Sequence, residues 1–156
     1  MRRWAFLLGV AVLFAGCGVN SGPSAPASLP KAASVQASLA ANDPDMDAAI
    51  DKAKSTLNTF IDRLEHPKPR EVFSIEGQFD APDGSFERLW VDDVTFAAGA
   101  FTGTLRDKPA KIASIQQHGQ VTVPRDHVTD WIILTSGKSE GGYTIDVLME
   151  RQGAPH

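Results

Sequence analysis

Leu64-Glu65-His66-Pro67-Lys68-Pro69-Arg70-Glu71-Val72-Phe73-Ser74-Ile75-Glu76-Gly77-Gln78-Phe79 is where the hydrophobic period of the chain changes. On the amino-terminal side, Met46, Ile50, Ala53, Leu57, Phe60, Ile61 and Leu64 recur at three- and four-residue steps, the spacing of one apolar helix face. Asp47, Asp51, Lys54 and Arg63 fall on the other side of that helix. Asp43 suits an amino cap and Pro44 the first turn, where a missing N–H costs nothing. His66-Pro67-Lys68-Pro69 stops the helix, because proline clashes with a preceding helical residue. Beyond it, Phe73, Ile75 and Phe79 alternate with Ser74, Glu76 and Gln78, which predicts a strand with one buried face.

Further strands are expected over Phe86–Val94, after the Pro82-Asp83-Gly84 turn, and over Phe101–Leu105, after Ala97-Ala98-Gly99. Val121–Val123, Trp131–Leu134 and Tyr143–Met149 supply three more, the last two joined by a polar turn around Ser136-Gly137-Lys138-Ser139. The expected fold class is therefore α+β: one amphipathic helix on an antiparallel sheet of about six strands, lying on one face or closing a partial barrel. Residues 43–151 form a single domain, large enough to fold without disulfides, and 152–156 are a tail.

The chain upstream reads differently. Arg2 and Arg3 precede an apolar run, Trp4–Ala15, too short for a membrane-spanning helix of about 20 residues. This is the pattern of an export signal. It closes with Leu13-Phe14-Ala15-Gly16-Cys17, which resembles the lipobox of bacterial lipoproteins. That resemblance implies cleavage after residue 16 and acylation of Cys17, whose thiolate is nucleophilic enough to take a diacylglycerol and, with it, palmitate. Cys17 is the only cysteine, so a disulfide framework and cysteine-based metal sites are excluded. Residues 17–42 are rich in Ser, Ala, Pro and Gly and read as a tether. The localisation expected is the cell envelope, with membrane attachment through the lipid. Gly18, where an aspartate would retain a Gram-negative lipoprotein at the inner membrane, favours the outer membrane facing the periplasm.

Loss of residues 1–16 removes two of 15 basic side chains against 19 acidic ones, taking the formal charge from −4 to −6. Such a balance argues against nucleic acid as a partner, since that binding relies on cationic side chains displacing counterions.

Four short motifs stand in order along the domain: Phe86-Glu87-Arg88-Leu89-Trp90, Phe101-Thr102-Gly103-Thr104-Leu105 with Pro109, Asp130-Trp131, and Gly141-Gly142-Tyr143-Thr144. In this order they resemble the bacterial domain-of-unknown-function family 2314, the YegJ-like proteins, over residues 48–151. The chain departs from that pattern at Asp107 and Asp146, where the family tends to carry an asparagine and a basic residue. The resemblance implies no reaction, and fold alone does not determine one.

Candidate binding residues come from the same motifs: Glu87, Trp90, Asp130, Trp131, Gly141, Gly142, Tyr143 and Thr144. Glu87 and Trp90 are three apart on a strand, so they point to opposite sheet faces, with Trp90 expected in the core and Glu87 on loop amides or a basic side chain. Asp130-Trp131 and Gly141-Gly142-Tyr143-Thr144 are expected near one hairpin end. There they form either a peptide or small-ligand site, or a turn whose glycines take positive φ while Asp130 satisfies loop donors. Gly137-Lys138-Ser139 is no phosphate loop, because the earlier glycine position is Ile132, in a predicted strand. His66, His118, His127 and His156 lack ligand spacing, so no metal or other cofactor is expected. The leading expectation is a lipid-anchored interaction module for an envelope protein or peptide. The rivals are a small hydrolase or transferase using Glu87 or Asp130, and a structural envelope lipoprotein.

Overall fold

The computed structural model describes residues 43–153; the expected signal segment, Cys17 and the tether lie outside these residues. Helix α1 (Pro44–Glu65) begins where Asp43 accepts a 3.3 Å hydrogen bond from the Met46 N–H and ends at His66. Its buried stripe is Met46, Ala49, Ala53, Leu57, Phe60 and Ile61, with Ile50 left half-buried. Six strands follow: β1 (Glu71–Asp80), β2 (Phe86–Ala97), β3 (Ala100–Leu105), β4 (Gln120–Pro124), β5 (Val128–Thr135) and β6 (Lys138–Gly141). Helix α2 (Tyr143–Arg151) comes last.

All neighbouring strands are antiparallel, in the order β4-β3-β2-β1-β5-β6. The sheet is open, ending at β4 and β6, and does not close into a barrel. Helix α1 lies on one face, where Phe60 sits 5.7 Å from the Phe73 ring, 6.0 Å from Phe101 and 5.4 Å from Trp131. Burying each such ring contributes about 1.5–3 kcal/mol, so this cluster is the main stabilising element. The Trp131 indole N–H donates to the Ala53 carbonyl at 3.1 Å and to Thr56 Oγ1 at 3.2 Å, fixing helix to sheet. Trp131→Phe keeps an aromatic ring there but removes both indole hydrogen bonds to α1 and leaves part of the indole's buried volume unfilled. It is expected to cost about 2 kcal/mol, read as a lower urea midpoint with unchanged slope.

Three expectations are corrected. Tyr143–Met149 is not a strand but most of α2. The run is ambiguous by pattern: Tyr143, Ile145, Val147 and Met149 alternate, while Ile145, Leu148 and Met149 fit a helical face. The helix wins because Gly142 takes a left-handed conformation (φ +80°) that turns the chain, and a buried carboxylate from β5 receives the free N–H of Thr144. The sixth strand lies instead over Lys138–Gly141, inside the stretch expected as a longer turn. The turn itself shrinks to Ser136 (φ +47°) and Gly137 (φ +85°), the paired positive φ of a tight hairpin whose twist suits antiparallel strands.

Finally, β1 is buried on both faces from Phe73 to Gly77, not on one. It lies between β2 and β5, and its second face meets a smaller apolar cluster of Trp90, Ile132 and Ile145, with Leu134 and Met149 against it. The polar residues Ser74 and Glu76 are thereby drawn into the interior, at 1% and 2% exposure.

Candidate functional site

The residues of the last two motifs do come together, at the junction of β5, β6 and α2. Gly141 pairs with Ile132, and Gly142 donates to the Trp131 carbonyl at 2.8 Å. Asp130 accepts from the Trp131 N–H at 2.8 Å, the Thr144 N–H at 2.8 Å and the Thr144 hydroxyl at 2.7 Å. Its carboxylate thus serves α2 as a cap supplied from a neighbouring strand. The Tyr143 ring stands edge-on to Trp131 at 5.9 Å, and its hydroxyl lies 3.5 Å from Thr56 Oγ1. Asp130, Trp131, Gly142 and Thr144 are buried, so the polar groups of this constellation are engaged within the domain.

Glu87 and Trp90 occupy opposite faces. Glu87 accepts from the Ala110 and Lys111 N–H groups at 2.8 and 3.0 Å, clamping the loop that joins β3 to β4. Trp90 is buried in the second cluster, and the Arg106 guanidinium lies 5.4 Å over its ring. Arg106 also pairs with Asp92 and donates to Ser74 Oγ at 2.9 Å. Burial raises the Asp92 pKa, but the bonds from Arg106 and Ser74 outweigh it and hold the carboxyl below its ordinary value.

Sequence reading passed over the most unusual group. Glu76 opposes Trp90 on β2 and Asp130 on β5, so two carboxylates face each other across neighbouring strands. Between Glu76 and Gly77 the register with β5 shifts, and at this bulge the Thr129 hydroxyl reaches Glu76 Oε2 at 2.8 Å. Burial pushes Glu76 up to about 7, with the Thr129 bond and Arg88 opposing and Asp130 adding to the shift. Asp130 is pushed up to about 6, again by burial, against the bonds from Thr144 and Trp131. Asp107, which accepts from the Trp90 N–H at 2.7 Å, is raised by burial as well. Arg88 Nη1 is enclosed without a hydrogen-bond partner among the described residues. Alternation made Glu76 look solvent-facing; its central strand position, which would have corrected that, is a property of the sheet order.

The geometry offers carboxylates that titrate near neutrality, but neither described concavity is lined by Glu76, Glu87 or Asp130. Among the described residues, no three His, Cys, Asp or Glu side chains converge to hold a metal ion. No described helix is long and apolar enough to cross a membrane.

Two relatives share this domain. The chain is 27% identical to the uncharacterized protein YegJ of Escherichia coli over 104 residues, covering 67% of each chain. It is 26% identical over 114 residues to a putative ankyrin repeat protein of Neisseria meningitidis, covering 68% of this chain but 45% of that longer protein. No solved structure matches the chain significantly. Residues 43–154, the whole of the two-helix, six-strand unit, match the profile of DUF2314, described as an uncharacterized protein conserved in bacteria, and the chain belongs to that family.

Proposed function

We propose that this protein is a lipoprotein of the bacterial envelope, acylated on Cys17 and carrying a non-catalytic binding domain on a tether that faces the periplasm. The address rests on the sequence of residues 1–18, with the outer membrane favoured by Gly18 in a Gram-negative host. One observation favours binding over catalysis. Glu87 and Asp130, the carboxylates nominated for acid–base chemistry, each accept hydrogen bonds from groups that hold a loop or a helix in place. A general base must instead reach a substrate proton. A partner protein or peptide from the envelope fits the module, since among the described residues β6 leaves one backbone edge that no other strand covers.

The anchor is tested by growth in radiolabelled palmitate: the wild type is expected to be labelled and Cys17→Ala to lose the label completely. Equal labelling of both proteins would overturn it. In-cell crosslinking of the anchored chain tests the module, with one stoichiometric envelope partner expected. Background-level capture of many unrelated proteins would count against it.

A further inference from the structure

β3 and β4 pair directly, yet their connection, residues 106–119, is far longer than the roughly two to five residues a hairpin loop needs. It is also unusually well fixed. The Arg106 N–H donates to the Trp90 carbonyl, Asp107 receives the Trp90 N–H, and Glu87 receives the amides of Ala110 and Lys111. Lys111 Nζ reaches Ser85 Oγ at 3.0 Å, Gln117 Nε2 donates to the Arg106 carbonyl at 2.8 Å, and the His118 N–H donates to the Leu105 carbonyl at 2.7 Å. Ile112 is buried, and Ile115 packs against the main core. A long loop held at so many points is a preformed surface rather than slack.

This loop lines a shallow, open concavity of about 530 Å³, within the size range of small-ligand sites. Its lining includes Lys108, Lys111, Gln116 and Gln117 together with the apolar Pro109 and Ile115, and contains no carboxylate. That composition runs against the chain as a whole, whose net charge is −4. The ammonium of Lys108 attracts an anion, the glutamine amides can both donate and accept, and the apolar side chains can cover a small aliphatic group.

We propose that the concavity of the 106–119 loop binds a small organic anion bearing an amide and a short apolar group, the chemistry of a peptide's carboxyl end. The proposal deepens the binding-module reading and rests on it, giving that module a site and a ligand class. Glu87 then acts as a positioning residue, holding the loop from the sheet below.

The test uses the full chain, purified from membranes in non-ionic detergent, titrated with N-acetylalanylalanine and with its carboxamide by saturation-transfer NMR. Saturable binding is expected for the acid, about tenfold tighter than for the carboxamide, as fits one charge-assisted hydrogen bond. Lys108→Glu should abolish that difference, while Lys138→Glu, which makes the same charge change on β6, should preserve it. Equal affinity for acid and carboxamide, no saturable binding, or equal losses in the two variants would each overturn the proposal. Failure here with palmitate labelling and a crosslinked partner intact removes this site and leaves the anchored module standing.

Discussion

Gly141→Ala is expected to remove at least about 4 kcal/mol of stability, enough to leave the domain largely unfolded at 37 °C if its total lies at the lower end of the usual 5–15 kcal/mol. An added Cβ would lie 2.2 Å from the Trp131 carbonyl oxygen and 2.6 and 2.8 Å from two atoms of its ring, at a backbone φ of +80°. None of these neighbours can retreat cheaply. The ring packs against Phe60 and is tied to Ala53 and Thr56, while the carbonyl receives the Gly142 N–H. Relief therefore requires β6 and the start of α2 to move off β5, which would also take Thr144 from Asp130. Gly137→Ala supplies the control. Its φ is +85°, but an added Cβ meets nothing within 4 Å, so it carries only the left-handed penalty of about 1–2 kcal/mol. Urea denaturation of the two variants separates clash from backbone strain, and similar losses in both would refute the close-packing argument.

Glu76→Gln should have the opposite sign, stabilising the domain by on the order of 3 kcal/mol at pH 8 and by little at pH 4. Burial raises the folded-state pKa from an ordinary value of 4.5 to about 7, so the folded protein holds a proton that the unfolded chain releases. Wild-type stability is then fullest below about pH 4.5 and falls as pH rises toward 7. Asp130, raised to about 6 from 3.8, adds a fall over a slightly more acidic range and remains in the variant. Asp43 works the other way: Arg151 holds its carboxyl down at about 2, so its contribution grows as pH rises from 2 to 4 and is complete before Glu76 titrates. Glutamine keeps a carbonyl oxygen for the Thr129 hydroxyl and carries no charge to desolvate. Urea midpoints from pH 4 to 8 should converge at the acid end and separate progressively toward the alkaline end. Parallel curves for wild type and variant would show that Glu76 does not titrate in this range.

The Gly141 prediction turns on Trp131 in the core between α1 and the sheet, and the Glu76 prediction on the opposite face. The face of the sheet away from α1 is closed by Trp90, Ile132, Ile145 and their neighbours, and it holds three acids, Glu76, Asp107 and Asp130, whose pKa values burial raises. Asp130 offsets its desolvation by capping α2, and Asp107 by receiving the Trp90 N–H in the middle of β2. Glu76 accepts from the Thr129 hydroxyl, a bond that glutamine keeps, and burial raises its pKa to about 7, so the substitution removes a desolvated charge without removing that partner.

Local pattern was sufficient wherever one periodicity dominated. The helix from Pro44 to Glu65, its Asp43 cap, the strands around Phe73–Phe79, Phe86–Val94, Phe101–Leu105, Val121–Val123 and Trp131–Leu134, and the opposite facing of Glu87 and Trp90 all follow from residue order and chain geometry. So does the clustering of Asp130 with Gly141, Gly142 and Thr144, since a short hairpin must return the chain beside its start. What the sequence could not decide were the elements whose local signals tie. Tyr143–Met149 satisfies both a strand and a helix pattern, and it becomes helical through a cap donated by Asp130, thirteen residues before Tyr143. Likewise the burial of Glu76, and the pKa that follows, depends on β1 lying between β2 and β5, a strand order set by pairing across distant segments. Periodicity records what one segment prefers; desolvation and capping depend on which other segments arrive beside it, and only the tertiary structure decides that.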